Sequence, residues 1–82
     1  MVNVRFFGML RLDIKESAAM IEAGNIDDLL KILDTKYDEI NLNQLRNAII
    51  FINGVNMNEL KRYRTKLKDG DEVLFLSSVS GG

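Results

Sequence analysis

The sequence predicts an α+β domain in which one helix lies across a sheet of four to five strands, in the order ββαββ. Three observations predict it. Val2, Val4 and Phe6 alternate with Asn3, Arg5 and Phe7, the period of a half-buried strand. Ile26, Leu29, Leu30, Leu33 and Tyr37 recur on one face of a helix. The runs Ala48-Ile-Ile-Phe-Ile-Asn-Gly54 and Glu72-Val-Leu-Phe-Leu76 are rich in β-branched and aromatic residues, and the first ends on Asn-Gly, the strongest short hairpin signal. With a single amphipathic helical stripe in the chain, its apolar face has to pack on the strands.

In chain order, Gly8 ends the first strand, and Met9 to Ser17 reads as a turn returning to a short second strand over Ala18–Glu22. Ala23-Gly-Asn25 breaks the pattern. Asn25 is suited to cap the helix at 26–37, because its side chain can accept from an orphan N–H, and Asp27 and Asp28 complement the dipole of the first turn. The polar stretch holding Asn41, Asn43 and Gln44 has no assigned element. The third strand turns at Asn53-Gly54 and returns over Val55–Asn58, and Glu59–Lys68 reads as an exposed connection with room for a short helical turn. Asp69-Gly70-Asp71 is the next turn. In the last strand, Val73 and Phe75 face one way and Leu74 and Leu76 the other, which suggests a central position. Residues 77–82 project as a tail from a single domain spanning 1–82.

Composition narrows the chemistry. The 82 residues carry 11 Lys+Arg against 12 Asp+Glu, with 46% hydrophobic residues and neither Cys nor His. Without Cys there is no disulfide framework, thiolate metal site or cysteine nucleophile. Without His the usual triads and zinc hydrolase sites cannot be assembled. A net charge of −1 argues against general nucleic-acid binding. The start of the chain is too short and interrupted for a signal peptide, and no apolar run approaches membrane-spanning length, so a cytoplasmic location without a membrane partner is expected.

The Gly81-Gly82 end is the most specific feature. Two residues without side chains can thread a narrow channel and present a terminal carboxylate to a nucleotide or an attacking group. Taken alone, the same end also fits a frayed terminus. In context, Val4-Arg5-Phe6-Phe7-Gly8, Leu10-Arg11, Ile52-Asn53-Gly54 and Asp69-Gly-Asp-Glu-Val-Leu-Phe-Leu76 running into Val79-Ser-Gly-Gly82 resemble the MoaD/ThiS family of sulfur carriers, and within it the small subunits of molybdopterin synthase. The likeness covers nearly the whole chain in order and length. It implies a β-grasp, ubiquitin-like fold with a mixed sheet and one main helix on one face. Where the family often has prolines after the last strand, this chain has Ser77 and Ser78, so a looser tail is expected.

The resemblance also implies a mechanism. An E1-like activating enzyme of the MoeB/ThiF type would adenylate the Gly82 carboxylate with ATP, and a persulfide-derived sulfur would displace AMP to leave a thiocarboxylate. Gly81 would keep the tail narrow. The tail would then enter a MoaE-like large subunit of molybdopterin synthase and give its sulfur to a pterin precursor. The chain would bind no cofactor itself and would not be catalytic alone. Thiazole or tRNA thiolation, modification of protein lysines, and a plain interaction module are the alternatives.

A sheet covered on one face leaves the other open, so Phe7 with Leu74, or Phe75 with Leu76, is expected to form a docking patch beside Val79 and Ser80 of the tail. A place in the core is the competing reading for each strand residue. Lys61-Arg-Tyr-Arg-Thr-Lys-Leu-Lys68 is locally basic with one aromatic and reads as a solvated loop rather than an RNA or acidic-protein contact. Turn and cap positions account for Asp27, Asp28, Asp69, Asp71 and Glu72 without a metal.

Overall fold

Period-two alternation sorts the first strand, β1 (Val2–Phe7), as expected: Val2, Val4 and Phe6 are buried while Arg5 and Phe7 are exposed. The computed structural model describes residues 1–14 and 16–77. Gly81, Gly82, Val79 and Ser80 lie outside the described residues. β2 (Ala18–Ile21) runs antiparallel to β1, and β5 (Glu72–Leu76) runs parallel to it on the other side. β3 (Ile49–Ile52) pairs antiparallel with β5 and with the two-residue β4 (Val55–Asn56). The order is β2-β1-β5-β3-β4, so β5 is central and the sheet is mixed, the β-grasp arrangement.

The main helix, α2 (Ile26–Lys36), buries Ile26, Leu29, Leu30 and Leu33. These join Val4, Phe6, Ile50, Ile52, Val73 and Phe75 of the sheet in one core cluster. Each such side chain taken out of water contributes roughly 1.5–3 kcal/mol before conformational entropy is subtracted. Phe6 stacks at 5.8 Å from Phe75 and meets the edge of Tyr37 at the same distance. Asn25 caps α2 by accepting from the Asp28 N–H at 2.8 Å. Asn53 (φ 51) and Gly54 (φ 84) both take left-handed backbone, which the β3–β4 hairpin turn requires.

Four features depart from the simple ββαββ reading. Met9–Ser17 is not merely a turn: it contains a short helix, α1 (Met9–Asp13), whose Leu10 reaches the core together with Ile14 just beyond it. Two apolar residues four apart are too short a stripe to signal a helix. The polar stretch after α2 forms α3 (Leu42–Asn47), closed by a capping box in which Asn41 accepts from the Gln44 N–H and Gln44 accepts from the Asn41 N–H. The returning strand stops at Asn56 because Met57 turns inward, buried, into a 3-10 turn (Met57–Glu59). The connection over 59–68 is mostly exposed and holds a short helical turn, as expected, but it is also tied to the body of the domain. Its second 3-10 turn (Arg62–Arg64) is followed by Thr65, whose carbonyl accepts from the Ile26 N–H, and by buried Leu67, whose N–H donates to the Gly24 carbonyl.

Candidate functional site

The face of the sheet opposite α2 is apolar and uncovered by any described element. Register places Phe7, Leu76 and Ile49 in one row across β1, β5 and β3, and Arg5, Leu74 and Phe51 in the next. Phe7 is 48% exposed and Ile49 42%, while Leu74, Leu76 and Phe51 are half-buried. Phe7, Phe51 and Leu74 border a shallow depression rimmed by Arg5 and Glu72. A second hollow beside Phe7 is lined by Arg5 and Arg11. The combination is an apolar centre with a charged rim, the composition of a protein-docking patch.

The tail leaves from the edge of this patch, and its first residue is pinned. The Ser77 N–H donates to the Phe7 carbonyl at 3.3 Å, extending the β1–β5 pairing, while Ser77 Oγ accepts from the Leu10 N–H at 3.0 Å. Gly8 makes room for this contact. Its φ of +73° suits glycine, and a Cβ there would stand 2.7 Å from Ser77 Oγ and 2.9 Å from the Ser77 carbonyl oxygen. Ser77 is therefore held, and Ser78, the other residue behind the expectation of a looser tail, lies outside the described residues.

Of the residues expected to dock a partner, Phe7, Leu74 and Leu76 share the open face. Phe75 does not: it is fully buried in the core, because alternation along β5 sends residues 73 and 75 toward α2 and 74 and 76 away from it. The pairing of Phe75 with Leu76 on one face is thus corrected. Ile49 and Phe51 belong to the face and were not singled out from sequence, although the same alternation with buried Ile50 and Ile52 marks them.

At the other end of the sheet, Asp71 ties the Lys68–Asp71 turn to the β3–β4 hairpin turn. Its carboxylate accepts from the Lys68 N–H at 2.8 Å and the Asn53 side-chain amide at 3.0 Å, and these bonds, the backbone one foremost, hold its pKa below the usual carboxylate value. Beneath the covered face, burial and then a hydrogen bond to Glu16 push the Tyr37 hydroxyl up to about 12. Neither group is on the open face. Among the described residues, no helix is long and apolar enough to cross a membrane.

Residues 4–82 match the model of the ThiS family. Among solved structures, small archaeal modifier protein 1 from Methanosarcina acetivorans is 29% identical over 99% of this chain and 95% of that one, with a TM-score of 0.84. A chain from the complex of subunits 1 and 2 of the molybdopterin-converting factor of Helicobacter pylori is 31% identical over 99% and 97%, with a TM-score of 0.68. A chain of the BexX/CysO complex of Amycolatopsis orientalis is covered entirely, as is this chain, at 18% identity and a TM-score of 0.82, a likeness of fold. No curated protein sequence matches the chain.

Proposed function

The chain belongs to the ThiS family of ubiquitin-like sulfur carriers, and on that premise we propose that it is the sulfur-donating small subunit of molybdopterin synthase, carrying sulfur as a thiocarboxylate on Gly82. The observation that carries this reading is the junction of an uncovered apolar sheet face with a pinned tail exit. Ser77 is fixed at the border of Phe7 and Leu76, so a partner seated on the face meets the tail at a set position. The five residues beyond Ser77 can reach about 17 Å when extended, enough to enter a buried site in that partner. Support for the molybdopterin branch comes from the 31% identical Helicobacter pylori chain, which was solved in complex with its second subunit.

The chemistry asks little of this chain's own side chains. Adenylation would form a bond between the Gly82 carboxylate and the α-phosphate of ATP, supplied by an E1-like enzyme, with release of pyrophosphate. Attack of the outer sulfur of a donor persulfide on the acyl carbon would expel AMP and leave an acyl disulfide, and a thiol would then attack the donor-side sulfur, breaking the S–S bond to release the thiocarboxylate and a donor disulfide. Docking on the large subunit would then offer the thiocarboxylate to the pterin precursor. The chain contributes the handle, the narrow Gly81-Gly82 approach and the docking face, while the catalytic groups belong to its partners.

A second reading, a protein modifier joined to lysines, is favoured by the 0.84 TM-score and 29% identity to the archaeal modifier. One experiment separates the two. The chain, and a copy lacking Gly82, are incubated with a MoeB/ThiF-type enzyme, ATP, a persulfide donor and a thiol reductant, and intact mass is measured before and after addition of a MoaE-like subunit and a cyclic pyranopterin. Replacement of one oxygen by sulfur in the full-length chain only, followed by reversion with the pterin product, supports the proposal. A thiocarboxylate that survives the synthase subunit but yields lysine adducts supports the modifier. No mass change overturns both.

A further inference from the structure

Beside the open face, at the end of β3 where β4 stops, lies a cleft that the sulfur-carrier reading does not use. Arg46, Asn56, Asn58, Arg62, Tyr63 and Ile49 line it, and no carboxylate does among the described residues. Tyr63 fixes one arginine. Its hydroxyl donates to the Arg46 carbonyl at 3.1 Å, and the Arg46 guanidinium lies 5.6 Å over its ring centroid. Arg46 makes one long ion pair, with Asp27 Oδ1 at 3.8 Å, while the other oxygen of that carboxylate holds Lys31 at 3.0 Å.

The second arginine sits in strained backbone. Arg62 has φ 54, a left-handed conformation that a long side chain rarely adopts and that glycine or asparagine would take more readily. It is held there by the Thr65 N–H, which donates to the Arg62 carbonyl at 3.0 Å, and by Asn58 Oδ1, which accepts from Arg62 Nε at 3.2 Å. Charge is also segregated. Five of the 11 basic residues fall between Lys61 and Lys68 with no acid among them, so the rest of a chain of net charge −1 carries −6.

We propose that this cleft binds an acidic segment of the protein that docks on the open face, two guanidiniums and the asparagine amides receiving its carboxylates. Continuity supports a protein partner, because Ile49 belongs both to the cleft and to the apolar row with Phe7 and Leu76. RNA fits less well. Tyr63 has one ring face covered by Arg46 and its hydroxyl engaged, which leaves a poor stacking platform for a base. The inference rests on the docking-face reading, but its test does not, because the probe carries no apolar residue.

The test titrates a hexaglutamate peptide into the isotope-labelled full-length chain, followed by amide and arginine side-chain NMR signals, with hexauridine RNA and inorganic phosphate as parallel arms. The peptide shifts Arg46, Asn47, Asn58, Arg62 and Tyr63, binding weakens at least fivefold in Arg62→Gly and in Arg46→Gln, and higher salt weakens it further. Arg62→Gly relieves the left-handed strain, so its thermal midpoint stays equal to or above that of the parent and lost binding reads the guanidinium rather than the fold. Unchanged affinity in Arg62→Gly, shifts outside the cleft, or equally tight binding of RNA or phosphate at the same residues overturns the proposal. Sulfur transfer in Phe7→Ser reads the open face separately: if it falls while peptide binding persists, both the docking face and the cleft are upheld, and if it is unchanged while peptide binding persists, the docking-face premise fails, which overturns the assignment of the segment to a face-docked partner and leaves only the affinity of the cleft for acidic peptide.

Discussion

The two faces of the sheet are built from the same strands and are nearly equally apolar, yet only one is covered. Toward α2 point Val4, Phe6, Ile50, Ile52, Val73 and Phe75, all buried. Away from it lie Phe7, Ile49, Phe51, Leu74 and Leu76, exposed or half-buried. A sheet that simply met water on its outer face would alternate apolar with polar residues. Here, among the paired strand residues, Asn3, Arg5, Glu72 and, at the β4 edge, Asn56 interrupt the outer rows. The contrast teaches that one strand pattern can store stability on one side and recognition on the other.

The largest expected effect tests that division directly. Phe75→Ala should cost about 3–5 kcal/mol in chemical denaturation, since it empties a fully buried aromatic site, whereas Phe7→Ala should cost less than about 1 kcal/mol. Binding to a MoaE-like subunit should show the reverse order, with the exposed-site change Phe7→Ser weakening it at least tenfold at a nearly unchanged denaturation midpoint. Equal stability losses at positions 7 and 75 would break the comparison. An intermediate case lies where the faces meet the tail exit. Gly8→Ala should cost about 1–3 kcal/mol, from its positive φ and the approach of a Cβ to Ser77, and should slow sulfur transfer beyond what the stability loss explains. Ser77→Ala, which leaves the part-buried Leu10 N–H without its acceptor, should cost about 1 kcal/mol.

Much of this division was legible in the sequence because it depends on periodicity. The period-two pattern of β1 and β5 and the 3.6-residue stripe of α2 located the covered face, and Asn25 and Asn53-Gly54 marked the cap and the hairpin by local chemistry. Short elements were not legible. α1 and α3 span five and six residues, too few for an apolar stripe, and only the Asn41–Gln44 spacing marked α3. The docking of residues 59–68 depends on backbone bonds to Gly24 and Ile26, contacts over long sequence separation that no local pattern encodes. For the candidate site, Phe7, Leu74 and Leu76 followed from alternation. The misplacement of Phe75 came from pairing neighbours along a strand, which always face opposite ways.

The smallest effect concerns the rim of the covered face and appears only in alkali. Tyr37 is buried against Phe6 with its hydroxyl donating to Glu16, and the folded protein holds that proton up to about 12 against an ordinary value of 10.0. A group whose pKa is raised on folding contributes stability that is fully present below the unfolded value and is lost as pH rises through the folded one. Between pH 10 and about 12 the unfolded chain releases the Tyr37 proton while the folded chain keeps it, so stability should fall across that window. Tyr37→Phe removes the titrating group and should flatten that part of the curve, measured as denaturation midpoint against pH. Because Tyr37 touches the core and not the open face, partner affinity per folded molecule should stay level where stability declines. A parallel loss of affinity would show that the two faces are coupled through the sheet rather than independent.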